Sequence, residues 1–253
     1  MPLIETISGA GARAFGLNAG EQLDKSSVVT SFSGLKMYVD ARAYAPTLWK
    51  DLSGNGNDMI PYNNPTLATT NGNKNVQFRR AATNPNTASP FAYCVNTMND
   101  IGFITIENYF SVEGNSSPNQ ILYNKENVYE LSTGANQFQY AWQTPGIGWD
   151  WNTITSLTQG QKIHLVETWG TDYIKRTYIN GSLVQSGRPA SMAQAELVKT
   201  QNTYFKINAR NDIQTESGDA GNHNIYRVAI WNRALDQSAV TALRADAIAR
   251  HGS

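Results

Sequence analysis

The chain has 253 residues, with 20 Lys and Arg against 20 Asp and Glu, so its formal charge cancels and neither nucleic acid nor an anionic membrane gains attraction from it. Only 16% of residues are charged, against about 25% in an average globular protein, which leaves a surface made polar by amides and hydroxyls. The single cysteine, Cys94, excludes an intramolecular disulfide framework and a tetrahedral cysteine metal site, and fits a compartment where free thiols survive.

The opening "MPLIETISGAG" carries Glu5 and has neither a basic nor an apolar signal region, so it does not read as a secretion signal. No apolar run approaches the roughly 18 residues that a membrane helix needs, and membrane insertion is not expected. The next stretch, "SGAGARAFGLNAG" (8–20), is mostly Gly and Ala, which cost entropy to order and offer little area to bury. Residues 1–32 are therefore expected to be an extended anchoring arm that orders on a partner through Arg13, Phe15 and Leu17, with a loose terminus as the plainer alternative. Residues 33–253 are expected to form one domain, since a chain of this length can bury roughly 70–75% of its unfolded surface without disulfides.

"WKDLSGNGNDM" (49–59) concentrates acids, amides and glycines. A phosphate loop needs a Lys-Ser/Thr pair and a following helix, and Met59, Ile60 and Pro61 supply neither. A calcium loop would place Asp51, Ser53, Asn55 and Gly56 at its first, third, fifth and sixth positions, but Tyr62 stands where the bidentate carboxylate belongs. Asp51, Asn55, Asn57 and Asp58 could still offer oxygens to calcium in another geometry. The preferred reading is a tight turn held by its own side-chain hydrogen bonds, with no cofactor.

Beyond it the pattern is short alternating runs between turn residues, the mark of an all-β sandwich. In "FITIENYFSVE", Ile104, Ile106, Phe110 and Val112 share one face while Thr105, Glu107 and Ser111 share the other, which predicts a half-buried strand. "QFQYAWQ" sets Phe138, Tyr140 and Trp142 against Gln137, Gln139 and Gln143 in the same way. "KIHLVETW" (162–169) is rich in strand formers, and Asn180-Gly181 predicts a hairpin between strands near 174–179 and 182–185. "NIYRVAIWN" (224–232) is apolar on both faces, as a central strand would be. The end reads as a helix capped by Asp236 and closed by Gly252, with Val240, Leu243, Ala247 and Ile248 along one stripe.

"YAWQTPGIGWDWN" places Trp149 and Trp151 around Asp150 after a Pro-Gly loop. Exposed indoles beside a carboxylate and amides would make a sugar-stacking surface, with packing under a loop as the plain alternative. Enzyme chemistry has no positive signal. Glu107 and Glu113 do not make a convincing carboxylate pair, Glu126 and Glu130 have no evident partner, and no G-x-S-x-G or H-E-x-x-H motif occurs. His164, inside an apolar strand, reads as a hydrogen-bonded core residue.

Taken in order, "LKMYVDARAY", "WKDLSGNGND", "ITIENYF", "KIHLVETWGTDYIKRTYINGSLV" and "IYRVAIWNRALDQSAVTAL" resemble the laminin-G-like form of the concanavalin A-like jelly roll, over about residues 35 to 250. The resemblance implies an all-β, two-sheet antiparallel jelly-roll sandwich of roughly a dozen strands with a C-terminal helix, used for binding carbohydrate or protein. The acidic E-x-D-x-x-E cluster of its glucanase relatives is missing, so their hydrolysis is not implied. The first 20 residues resemble the opening segments of some phage tail-fibre, collar and decoration proteins. That second resemblance implies a structural virion protein, assembled in the host cytoplasm and homo-oligomeric, whose arm binds other virion proteins and whose lectin-like head adheres to surface polysaccharide. A free, non-catalytic carbohydrate-binding module is the alternative.

Overall fold

The computed structural model describes residues 27–114, 120–134, 137–146, 149–155, 158–187, 194–199, 202–210 and 219–253. The first strands are β1 (Leu35–Asp40), β2 (Tyr44–Ala45), β3 (Leu48–Trp49), β4 (Met59–Tyr62), β5 (Thr66–Thr70) and β6 (Asn73–Phe78). A single helical turn, α1 (Pro85–Ala88), precedes β7 (Phe91–Cys94), β8 (Ile104–Val112), β9 (Gln120–Lys125), β10 (Tyr129–Gly134) and β11 (Gln137–Trp142). There follow β12 (Asp150–Thr155), β13 (Ile163–Trp169), β14 (Lys175–Ile179), β15 (Ser182–Gly187), β16 (Phe205–Ile207), β17 (His223–Trp231) and the terminal helix α2 (Gln237–His251).

These strands make two antiparallel sheets packed as a sandwich. The eight-stranded sheet runs β15-β14-β13-β8-β17-β6-β5, with β1 also on β17. The nine-stranded sheet runs β12-β11-β10-β9-β16-β7-β4-β3-β2. Between them lies one large core, in which Ile104, Ile106, Phe110 and Val112 of β8 meet Phe138, Tyr140 and Trp142 of β11. The fold class expected from the sequence is thus the observed one, and β17 is central between β8 and β6. The 180–181 hairpin joins β14 to β15, with both Asn180 (φ 50°) and Gly181 (φ 80°) left-handed as such a two-residue turn requires.

Strand β8 departs from the half-buried pattern predicted for it, because all nine of its residues are buried. The cause is α2, which lies across the outer face of the eight-stranded sheet. Asp236 Oδ1 accepts the Ala239 N–H at 2.9 Å to start the helix, and the Gly252 N–H donates to Ile248 O at 2.8 Å to end it. Its buried side is Ala239, Val240, Leu243, Ala247 and His251, packed on Tyr109, Val166, Tyr178, Tyr226 and Trp231. Ile248, placed on that stripe by sequence, is only half-buried.

The expected boundary of the arm at residue 32 also shifts. Val28–Ser31 form a short 3-10 turn whose Val29 is fully buried against Tyr38, Trp231 and Leu243, and Ser27 Oγ donates to Asp246 at 3.1 Å. Residues 27–32 therefore belong to the head. Arg13, Phe15 and Leu17 lie outside the described residues.

Candidate functional site

Strand β12 is the edge of the nine-stranded sheet, and alternation along it divides the predicted Trp149, Asp150, Trp151 group. Asp150 is paired with Trp142 and Asn152 with Tyr140, and those two aromatics point into the core. Directly opposed residues share a face, so Asp150 and Asn152 turn inward while Trp151, paired with Ala141, turns outward. Asp150 Oδ2 accepts from Asn152 Nδ2 at 2.7 Å. The indoles of Trp149 and Trp151 lie together, ring centroids 6.1 Å apart and tilted by 37°. Trp151 is 50% exposed, whereas Trp49, Trp142, Trp169 and Trp231 are fully buried. On the same outward face Thr153 stands opposite Gln139. The arrangement is an aromatic pair beside an amide and a hydroxyl, and the carboxylate that the sequence placed between the rings is behind the strand.

Just inside this edge is a group of residues that sequence reasoning did not single out. Glu167 follows the parity of Ile163, Leu165 and Trp169 on β13 and so points into the sandwich. Lys175 on β14 is cross-strand to Trp169 and points the same way. Its Nζ lies 3.9 Å from Glu167 Oε1, 3.0 Å from the centroid of the Tyr140 ring and 4.2 Å from that of Trp142. Tyr123 donates its hydroxyl hydrogen to Glu167 Oε2. Burial pushes the Glu167 carboxyl above its ordinary range, and burial holds the Lys175 amine well below its own despite Glu167 and Asp150 nearby. The signal available in the sequence was a lone acid on the apolar parity of a strand.

The 49–59 stretch is a turn. The Asp51 carboxylate, 3% exposed, accepts N–H groups from Tyr38 at 2.9 Å, Ser53 at 2.9 Å and Asn57 at 2.8 Å. Asp58 accepts from the Asp51 N–H at 2.8 Å and from Lys50 Nζ at 2.9 Å. Asn55 Nδ2 donates to Leu35 O, and Asn57 Nδ2 to Lys36 O. A cation would have to displace the donors that hold this loop to β1, so these four residues do not fit a calcium site. Among the described residues, no cluster of three or more His, Cys, Asp or Glu could hold a metal.

The other acids weighed from the sequence have structural partners. Glu107 Oε1 accepts from Arg227 Nε at 3.1 Å and from Arg227 Nη2, and lies 2.8 Å from His164 Nε2. Arg227 also donates to Asp246 Oδ2 and Leu243 O, both at 2.6 Å, tying β17 to α2. Glu113 accepts from Ser111 Oγ and Asn224 Nδ2, and Glu130 is paired with Arg210. Cys94 is buried, and that burial pushes its thiol up to about 12.

Comparison with known proteins rests on fold. No family model matches the chain, and no curated protein matches it in sequence. Among solved structures it is similar to the binding domain of Paraclostridial Mosquitocidal Protein 1, at 16% identity and a TM-score of 0.63 over 85% of this chain and 52% of that one. It is similar also to the binding domain of botulinum neurotoxin DC in complex with rat synaptotagmin II, at 11% identity and a TM-score of 0.65 over 87% and 52%. A third is Trypanosoma rangeli sialidase in complex with sialic acid, at 15% identity and a TM-score of 0.58 over 84% and 33%. The chain thus spans about half the length of the toxin binding domains and a third of the sialidase. At such identities the likeness defines the class, an antiparallel β-sandwich.

Proposed function

We propose that the chain is a non-catalytic adhesion protein whose sandwich head binds glycan on the outward face of β12. The observation that carries this reading is the pairing of the exposed Trp151 indole with the half-buried Trp149 at the sheet edge. Two indoles can take the apolar C–H faces of neighbouring sugar rings, while Gln139 and Thr153 meet hydroxyl groups. Binding domains of similar fold support it, one of them in a toxin whose cell entry depends on interaction with two ganglioside molecules. In the same proposal the head is carried on a phage particle by the segment before residue 27, whose first 20 residues resemble virion proteins, and copies in a symmetric assembly multiply weak single-site affinity.

A glycan array probed with the wild type, Trp149→Ala and Trp151→Ala tests the first part. Binding by the wild type and its loss in both folded variants is expected, and a flat array for the wild type contradicts the proposal. Removing residues 1–26 should abolish association with particles while leaving array binding intact. Retention of the shortened protein on particles would reject the arm's role and favour a free carbohydrate-binding module.

A further inference from the structure

We propose that Lys175 and Glu167 condense spontaneously to an intramolecular amide that staples β13 to β14 inside the sandwich. Nζ and Oε1 are 3.9 Å apart, and neither has a hydrogen-bond partner among the described residues. Glu167 is fully buried and Lys175 only 3% exposed, so two groups that water would normally solvate face each other in a dry space. Their strands are already in register, Glu167 opposite Thr177 and Trp169 opposite Lys175, which makes the two side chains diagonal neighbours on one face.

The chemistry follows from the protonation states that this burial favours. Desolvation shifts both groups toward their neutral forms, the amine that carries a nucleophilic lone pair and the carboxylic acid. Tyr123 donates to Oε2, which makes that oxygen the carbonyl, polarised and stabilised as it becomes an oxyanion, and leaves the Oε1 hydroxyl toward the amine. Nζ attacks Cδ, forming the N–C bond. A proton passes from nitrogen to Oε1, the Cδ–Oε1 bond breaks, and one water leaves, so nothing is oxidised or reduced. Fixed proximity replaces the encounter that makes this reaction negligible in solution, and the rings of Tyr140 and Trp142 keep out the water that would reverse it.

Intact-mass spectrometry of the folded wild type tests the proposal directly. The expected mass is lighter than the sequence mass by one water, with the 167 and 175 peptides joined after proteolysis. Lys175→Ala and Glu167→Ala should restore the full sequence mass of each variant. Glu167→Gln should lose one ammonia instead of water, a readout that a structural role would not produce. Tyr123→Phe should reach the cross-linked mass on the order of a hundredfold more slowly after refolding, as when an oxyanion donor is removed. An unmodified mass in folded wild-type protein after prolonged incubation, or a cross-link that joins Lys175 to Asp150, overturns the assignment.

Discussion

Glu107 and Glu167 sit on neighbouring strands, both fully buried and both facing a basic side chain from an adjacent strand, yet their acidities move in opposite directions. Burial alone would raise each. At Glu107 it is outweighed by Arg227 and His164, and the carboxyl is held below its ordinary range. At Glu167 the single Lys175 amine, 3.9 Å away, does not outweigh it. The difference lies in the cations. A guanidinium keeps its charge when buried and divides its donors among Glu107, Asp246 and Leu243 O, whereas burial pushes an ammonium without such partners toward its neutral form. One cluster consequently fixes α2 on the sheet, and the other is left chemically reactive.

Breaking the first cluster should produce the largest effect. Arg227→Met leaves the buried Glu107 charge without its guanidinium and takes from Asp246 one of its two arginine partners, and is expected to cost about 3–5 kcal/mol, read by chemical denaturation at neutral pH. His223 sharpens the comparison as a third solution, a buried group kept neutral. Its Nδ1 lies 2.6 Å from Asn208 Oδ1 and its Nε2 3.0 Å from Thr133 Oγ1, and burial, with Arg79 nearby, lowers its pKa from 6.5 to about 3. A depressed folded value means that the unfolded chain takes up the proton first. Stability is whole above 6.5 and is lost as pH falls toward 3, by about 2 kcal/mol between pH 7 and 5. His223→Gln should flatten that part of a stability–pH profile.

Asp236 is the exposed counterpart, a carboxylate whose work is local. Asp236→Ala removes the cap of α2 and should cost about 1 kcal/mol in the same denaturation experiment. Smallest on stability is Trp151→Ala, expected within about 0.5 kcal/mol of the wild type because the side chain is half exposed and outside the core. Its consequence should appear in glycan binding alone.

Much of this fold is legible in the sequence because strands and caps are local signals. Period-two alternation placed β8 and β11, richness in strand formers placed β13, Asn180-Gly181 placed the β14–β15 turn, and Asp236 with Gly252 placed the ends of α2. What alternation could not show is which polar face another element covers, so Glu107 read as solvent-facing until α2 was seen over it. Within the site, adjacency in sequence misled. Trp149, Asp150 and Trp151 are consecutive, but a strand sends neighbours to opposite faces, and the carboxylate went inward. Lys175 and Glu167 come together only through the pairing of β13 with β14, although Glu167 stands on the apolar parity of its own strand.

The most direct measurement of the central claim is a titration of the protein with soluble oligosaccharides, followed through the indole N–H resonances of its six tryptophans. Four belong to the fully buried Trp49, Trp142, Trp169 and Trp231 and should stay in place. The account predicts that the signals of Trp149 and Trp151 shift together and saturate. Signals that never move across the panel, or shifts confined to the four buried indoles, would contradict it.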